Sequence, residues 1–200
     1  MLGAVMEISG PGGDTAISKL RRGDPDAISA IITQYQHRLF RYLVRLVGDP
    51  AAADDLFQNT WLTVIRKISR FDSRRSFEPW LFTVARNQAI DFLRRRGGER
   101  LDSSSNADVS RPDALAPTRP DALDRLLDFE RSAILGAALA ELPAIHREVL
   151  TLRFEEGMKL DEISEVLGIP LPTVKSRLSR ALEGLRAGVE ARSPRRRAHE

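Results

Sequence analysis

Between Pro172 and Leu185 the chain sets small hydroxyls and cations at helical spacing. At about 100° per residue, Val174, Leu178, Ala181, Leu182 and Leu185 fall on one apolar stripe. Ser176, Ser179 and Arg180 lie nearly opposite that stripe, Thr173 stands close by, and Lys175 and Arg177 flank them. Slim hydroxyls let a helix approach a base edge closely. A guanidinium matches guanine O6 and N7, and flanking cations meet phosphates. That chemistry is nucleic-acid reading. An ordinary pair of packed helices with a solvated charged face is the competing reading of the same pattern.

The elements needed to position this face are also legible. Leu160, Ile163 and Leu167 mark a short helix just before it, Gly168 suits the left-handed residue that ends a helix, and Pro170 discourages continuation. Pro172 is compatible with a first helical turn. Together these predict a helix-turn-helix whose second helix is the reader. From Pro170 to Arg197 there are eight basic residues against only Glu183 and Glu190, so the basicity is local and points to a polyanionic partner. The whole chain of 200 residues has a formal net charge of only +3.

Upstream the pattern is helical throughout. Asp24 can cap a helix with Pro25 in its first turn, carrying Ile28, Ile31, Ile32, Tyr35, Leu39, Tyr42, Leu43 and Leu46 on one face and closing at Gly48-Asp49-Pro50. A second helix is expected from Ala51 to Ile68 with Phe57, Trp61, Val64, Ile65 and Ile68 inward. A third follows the connector Arg70–Phe77 and runs to about Arg96, with Leu81, Val84, Ala85, Phe92 and Leu93 inward. Helical pattern resumes at Leu126–Leu139 and again after Leu142-Pro143. No alternating strand pattern appears. The expected fold is all-α: two small helical domains, 19–96 and 125–187, joined by a flexible linker, with the helix-turn-helix in the second. Residues 1–18 read as a mobile leader and 188–200 as a basic disordered tail. The linker, 97–124, is rich in Gly, Ser, Pro and Asp without apolar period, and is mildly acidic.

Several classes are disfavoured. There is no cysteine for a disulfide or thiolate metal site. His37, His146 and His199 are far apart in sequence and suggest neither a triad nor a ligand set, so no enzyme activity, metal or cofactor is expected. No apolar run reaches membrane-spanning length and no signal-peptide core is visible, so a soluble cytoplasmic protein without membrane insertion is expected.

The chain resembles the extracytoplasmic-function (ECF) group of bacterial sigma factors. In the C-terminal half the resemblance rests on Leu142-Pro143, Arg147, Leu152-Arg153, Glu156-Gly157, Glu162-Ile163, Leu167-Gly168, Thr173-Val174-Lys175-Ser176-Arg177-Leu178 and Arg180-Ala181. In the N-terminal half it rests on Asp54-Asp55-Leu56, Gln58, Trp61, Phe71-Asp72, Phe77, Trp80-Leu81, Ala85-Arg86-Asn87, Asp91 and Arg94. The family commonly has a small residue where Pro172 stands. The resemblance implies a factor that lends promoter specificity to core RNA polymerase, with an anti-sigma protein as a further partner. It implies −35 contacts from Thr173, Lys175, Ser176, Arg177, Ser179 and Arg180. Phe77, Asn87, Arg94, Arg95 and Arg96 would serve the −10 element and its melting, and Asp54, Asp55 and Gln58 the polymerase. Asn87 offers both donor and acceptor to an unstacked base, and the three arginines can hold the backbone. Phe71 and Trp80 read as core. A free-standing helix-turn-helix regulator explains the second half and leaves the first unexplained. A nucleic-acid-processing enzyme needs a carboxylate or metal cluster that the pattern does not show.

Overall fold

In the computed structural model, residues 13–72, 74–96 and 133–192 are described. The expected linker at 97–124 and the end of the tail lie outside them. Proline and aspartate punctuation sets the first long helices. Asp24 accepts hydrogen bonds from the N–H groups of Asp26 and Ala27 at 3.0 and 3.2 Å, which starts α2 (Pro25–Val47). Gly48, at φ 72°, closes that helix, and Asp49 repeats the capping device for α3 (Pro50–Lys67). Each cap satisfies two N–H groups that the helix itself leaves without partners.

Ahead of α2 stands α1 (Gly13–Arg21), a helix the sequence reading assigned mostly to a mobile leader. Ile17 and Leu20 are buried, and Arg21 donates to the backbone carbonyls of Ile68 and Phe71. That tie fixes α1 to the 3₁₀ turn Ile68–Arg70 that follows α3. The connector then enters α4 (Phe77–Arg95).

The C-terminal half comprises α5 (residues 133–141), α6 (Ala144–Leu150), a π turn (Thr151–Glu155), α7 (Leu160–Leu167) and α8 (Leu171–Arg192). The reader helix therefore continues past residue 188, where a tail was expected. Arg147 reaches back to the carbonyls of Ala140 and Leu142 at 3.4 and 3.2 Å, accepting the role of a C-terminal cap for α5. Among the described residues all regular structure is helical.

Two apolar clusters hold these helices. The larger joins Ile31, Leu39, Leu43, Leu81 and Phe82 of the first half to Val149, Leu152, Ile163 and Val166 of the second. The smaller holds α8 on α6 through Leu142, Leu150 and Ala181. The halves thus pack on one another, with α7 lying along α4.

Candidate nucleic-acid interface

The helix-turn-helix forms as its spacing predicts. Gly168 adopts φ 66° and its N–H meets the carbonyls of Ser164 and Glu165 at 3.0 and 3.3 Å, closing α7. Ser164 Oγ donates to the Ile169 carbonyl at 2.6 Å and pins the turn. Val174, fully buried, and Ala181 fasten α8 to the core. Leu182 corrects the expected stripe: it is 42% exposed. At one residue past Ala181 it has already rotated toward the edge of the helix.

On the outer side of α8, Lys175, Ser176, Ser179 and Arg180 are exposed, while Thr173 and Arg177 are half-buried. Ser176 Oγ donates to the Thr173 carbonyl at 3.0 Å and Ser179 Oγ to Glu183 Oε1 at 3.1 Å, so both hydroxyls are oriented. Among the described residues, Lys175, Arg177 and Arg180 make no hydrogen bond or ion pair. His146, on α6, senses this cationic patch: burial, then Arg180 and Arg177, hold its pKa below the usual histidine value.

The −10 candidates divide. Phe77 is not at the surface. It is 1% exposed, with ring centroids 5.9 Å from Tyr35, 5.8 Å from Phe71 and 5.6 Å from Trp80. As the first residue of α4 it plugs the aromatic cluster beside the connector. Phe71 is buried and Trp80 half-buried in the same cluster. Asn87 is exposed, with no hydrogen bond among the described residues. Arg94, Arg95 and Arg96 are exposed too, and are only lightly tethered: Arg95 Nε to the Asp91 carbonyl at 3.1 Å and Arg96 Nη1 to Asp49 Oδ2 at 3.1 Å.

Asp54, Asp55 and Gln58 share an exposed face of α3, and Gln58 Nε2 donates to Asp54 Oδ2 at 2.9 Å. That face continues as Leu62, 49% exposed, and Ile65, 43% exposed. Ile65 was expected inward. The inward side of α3 is filled instead by Trp61, Val64 and Ile68, leaving Ile65 on its rim.

The sequence reading missed a set of charged groups between the halves. Glu148 and Glu156 are each 5% exposed. Glu148 Oε1 accepts from Tyr42 Oη at 2.9 Å and from Arg86 Nε at 2.8 Å. Glu156 Oε2 accepts from Arg38 Nε at 2.8 Å, while Arg38 Nη2 reaches the Glu156 carbonyl at 2.7 Å. Arg45–Glu155 and Arg75–Glu165 add outer ion pairs. Burial pushes Glu155 and Glu156 above the usual carboxylate range, although Arg45, Arg38 and Arg41 oppose it. The signal was present: Ile145, Glu148, Val149 and Leu152 form one three-four stripe, and a lone carboxylate inside it requires a partner.

Comparison with known proteins follows the same division of the chain. Residues 31–99 match the family model for Sigma-70 region 2, and residues 132–185 match that for Sigma-70, region 4. The chain is 30% identical over 176 residues to the ECF RNA polymerase sigma factor SigW of Bacillus subtilis, covering 85% of this chain and 92% of SigW. It is 38% identical over 162 residues to SigL of Mycobacterium tuberculosis, covering 78% and 85% respectively. Among solved structures it resembles the sigma factor RpoE in complex with the anti-sigma factor NepR from Bartonella quintana: TM-score 0.59, 25% identity, 81% of this chain and 96% of that one. The fold also matches CnrH in complex with the cytosolic domain of CnrY, with TM-score 0.61, 22% identity and coverage of 88% and 96%.

Proposed function

The chain belongs to the ECF group of the sigma-70 family, a promoter-recognising initiation factor of RNA polymerase, and from that premise we propose how its residues divide the work. The observation that carries the division is the cationic edge of α8, without a hydrogen-bonded or ion-paired partner at Lys175, Arg177 and Arg180 among the described residues, around two oriented hydroxyls. Arg180 and Lys175 grip base edges or phosphates of the −35 element, with Ser176 and Ser179 against the groove floor and Thr173 and Arg177 supporting from the edges. One bidentate contact of this kind discriminates by about 1–3 kcal/mol. Asn87 reads an unstacked −10 base, and Arg94, Arg95 and Arg96 hold the strand. Phe77 supports that site from beneath. Asp54, Asp55 and Gln58 face the polymerase, and the exposed Leu62 and Ile65 extend their surface into a mixed acidic and apolar one.

Acting through the polymerase, the protein needs no reaction of its own, and we assign it none. Its place of work is the cytoplasm, where polymerase and promoter are. No helix among the described residues is long and apolar enough to cross a membrane. An anti-sigma protein is a fitting regulator, because the RpoE structure it resembles contains one.

Run-off transcription with core polymerase and a randomised promoter library tests the assignment. Wild type should initiate at a two-part motif. Arg180→Ala should lose upstream preference and Asn87→Ala should lose opening. Duplex binding without association with core polymerase would return the chain to the free-standing regulator reading.

A further inference from the structure

α1 lies ahead of residues 31–99, which carry the region 2 match. Its last residue, Arg21, nevertheless reaches 47 and 50 residues along the chain. Nε donates to the Ile68 carbonyl at 3.4 Å and Nη2 to the Phe71 carbonyl. These two carbonyls bracket the 3₁₀ turn Ile68–Arg70, where α3 ends and leaves acceptors that no further helical turn satisfies. A planar guanidinium carries its donors in a fixed fork, which suits two acceptors at a set separation. Its charge strengthens both bonds.

The arm that carries Arg21 is itself fixed. Ile17 and Leu20 anchor α1 in the core. Just beyond Arg21, Gly23 turns the chain at φ 73° and the Asp24 N–H returns to the Lys19 carbonyl at 3.1 Å, so the joint to α2 is short and closed.

What this bracket holds is the floor under the −10 candidates. Phe71 is buried, with its ring centroid 4.8 Å from Trp80 and 5.8 Å from Phe77. Both partners belong to the first turn of α4. The backbone at Phe71 therefore sets where the three rings meet, and with them the start of the helix that carries Asn87, Arg94, Arg95 and Arg96. Among the described residues, Arg21 is the one donor to the Phe71 carbonyl.

We propose that Arg21 is a positioning residue for capture of the −10 strand. By clamping the Ile68 and Phe71 carbonyls it keeps the Phe71–Phe77–Trp80 floor assembled before DNA arrives, so that this ordering is not left to the moment of binding. The proposal rests on the −10 role proposed above for α4, and it makes α1 a working part of promoter opening.

Holoenzyme reconstituted from core polymerase and the full chain provides the test, with two probes taken from the selected promoter: a single-stranded −10 oligonucleotide and a −35 duplex. Arg21→Ala should weaken single-strand binding about tenfold, because only the fraction of molecules with the floor assembled is competent. The affinities for core polymerase and for the −35 duplex should match wild type. The loss should be the same at low and high salt, since no phosphate contact goes with it. A second variant reaches the same point without touching Arg21: Ile17→Asp buries a charge under α1, detaches it and should give the same selective loss. An optical measurement reports the floor without DNA. In a Trp61→Phe background Trp80 is the remaining tryptophan, and Arg21→Ala should raise its quenching by acrylamide. Wild-type strand affinity in either variant, a loss that shrinks as salt rises, an equal loss for the −35 duplex, or unchanged Trp80 quenching overturns the positioning role. If instead Asn87→Ala and alanine variants of Arg94, Arg95 and Arg96 leave strand binding unchanged, the −10 reading of α4 fails, whatever Arg21→Ala does.

Discussion

Three glycines, one on α5 and two on α8, allow the packing of the reader helix to be weighed quantitatively. Gly136 on α5 is exposed, and a Cβ there would meet nothing within 4 Å. Replacing it with alanine should stabilise the protein by about 1 kcal/mol through helix propensity alone. At Gly188 on α8 the same Cβ would lie 3.0 Å from Ala138 Cβ and 3.4 Å from Ala138 Cα. Ordinary carbon contacts lie at about 3.5–4.0 Å, so α5 or α8 must shift by several tenths of an ångström. Neither can do so freely, since Ala138 is 1% exposed. Overpacking of this kind costs about 1–3 kcal/mol, which exceeds or cancels the propensity gain and leaves Gly188→Ala between neutral and about 2 kcal/mol less stable. At Gly184 the obstacle is Leu142 Cδ2 at 2.8 Å, a side-chain tip, although one held in the small cluster with Leu150 and Ala181. That variant should fall near wild type.

Urea unfolding of the three variants gives the ranking, and a −35 duplex titration gives its functional counterpart. Gly188 lies about 16 Å along the helix from Arg177, at about 1.5 Å per residue, so duplex affinity should stay unchanged while stability moves. If Gly188→Ala proved as stable as Gly136→Ala, the close α5–α8 approach would be wrong, and with it the anchoring of the reader helix.

Phe77 and His146 offer two further tests. Phe77→Ala should cost about 3–5 kcal/mol as a buried aromatic truncation. Phe77→Leu should keep promoter opening, an outcome that base stacking by Phe77 does not allow. His146 has a pKa depressed by burial and by Arg180 and Arg177, so the native state favours its neutral form. Its contribution to stability is complete above the unfolded value of about 6.5 and is lost as pH falls through the lower folded value. His146→Gln should flatten the decline in stability below about pH 6.5. Phosphates that neutralise Arg177 and Arg180 should raise the His146 pKa in an NMR titration with −35 duplex. An unmoved pKa would place those arginines away from the DNA.

Local punctuation was the most legible layer. The Asp24-Pro25 and Asp49-Pro50 pairs start helices, and Gly48 and Gly168 end them, because those residues act within four positions of themselves. Ile65 and Leu182 were misplaced for a different reason. Both sit on the rim of a stripe, where periodicity gives an angle but not the width of the neighbour that covers it. The burial of Phe77 was not legible, because an aromatic at a helix start serves equally to plug a core or meet a base, and its ring neighbour Tyr35 is distant in sequence. Ile17 and Leu20 show helical spacing too, but so short an apolar pattern needs α2 and the Ile68–Arg70 turn to make it a helix. The polar outer face of α8 was legible because it remains outside. The seam was not, because its partners lie more than one hundred residues apart for Arg38–Glu156 and Tyr42–Glu148.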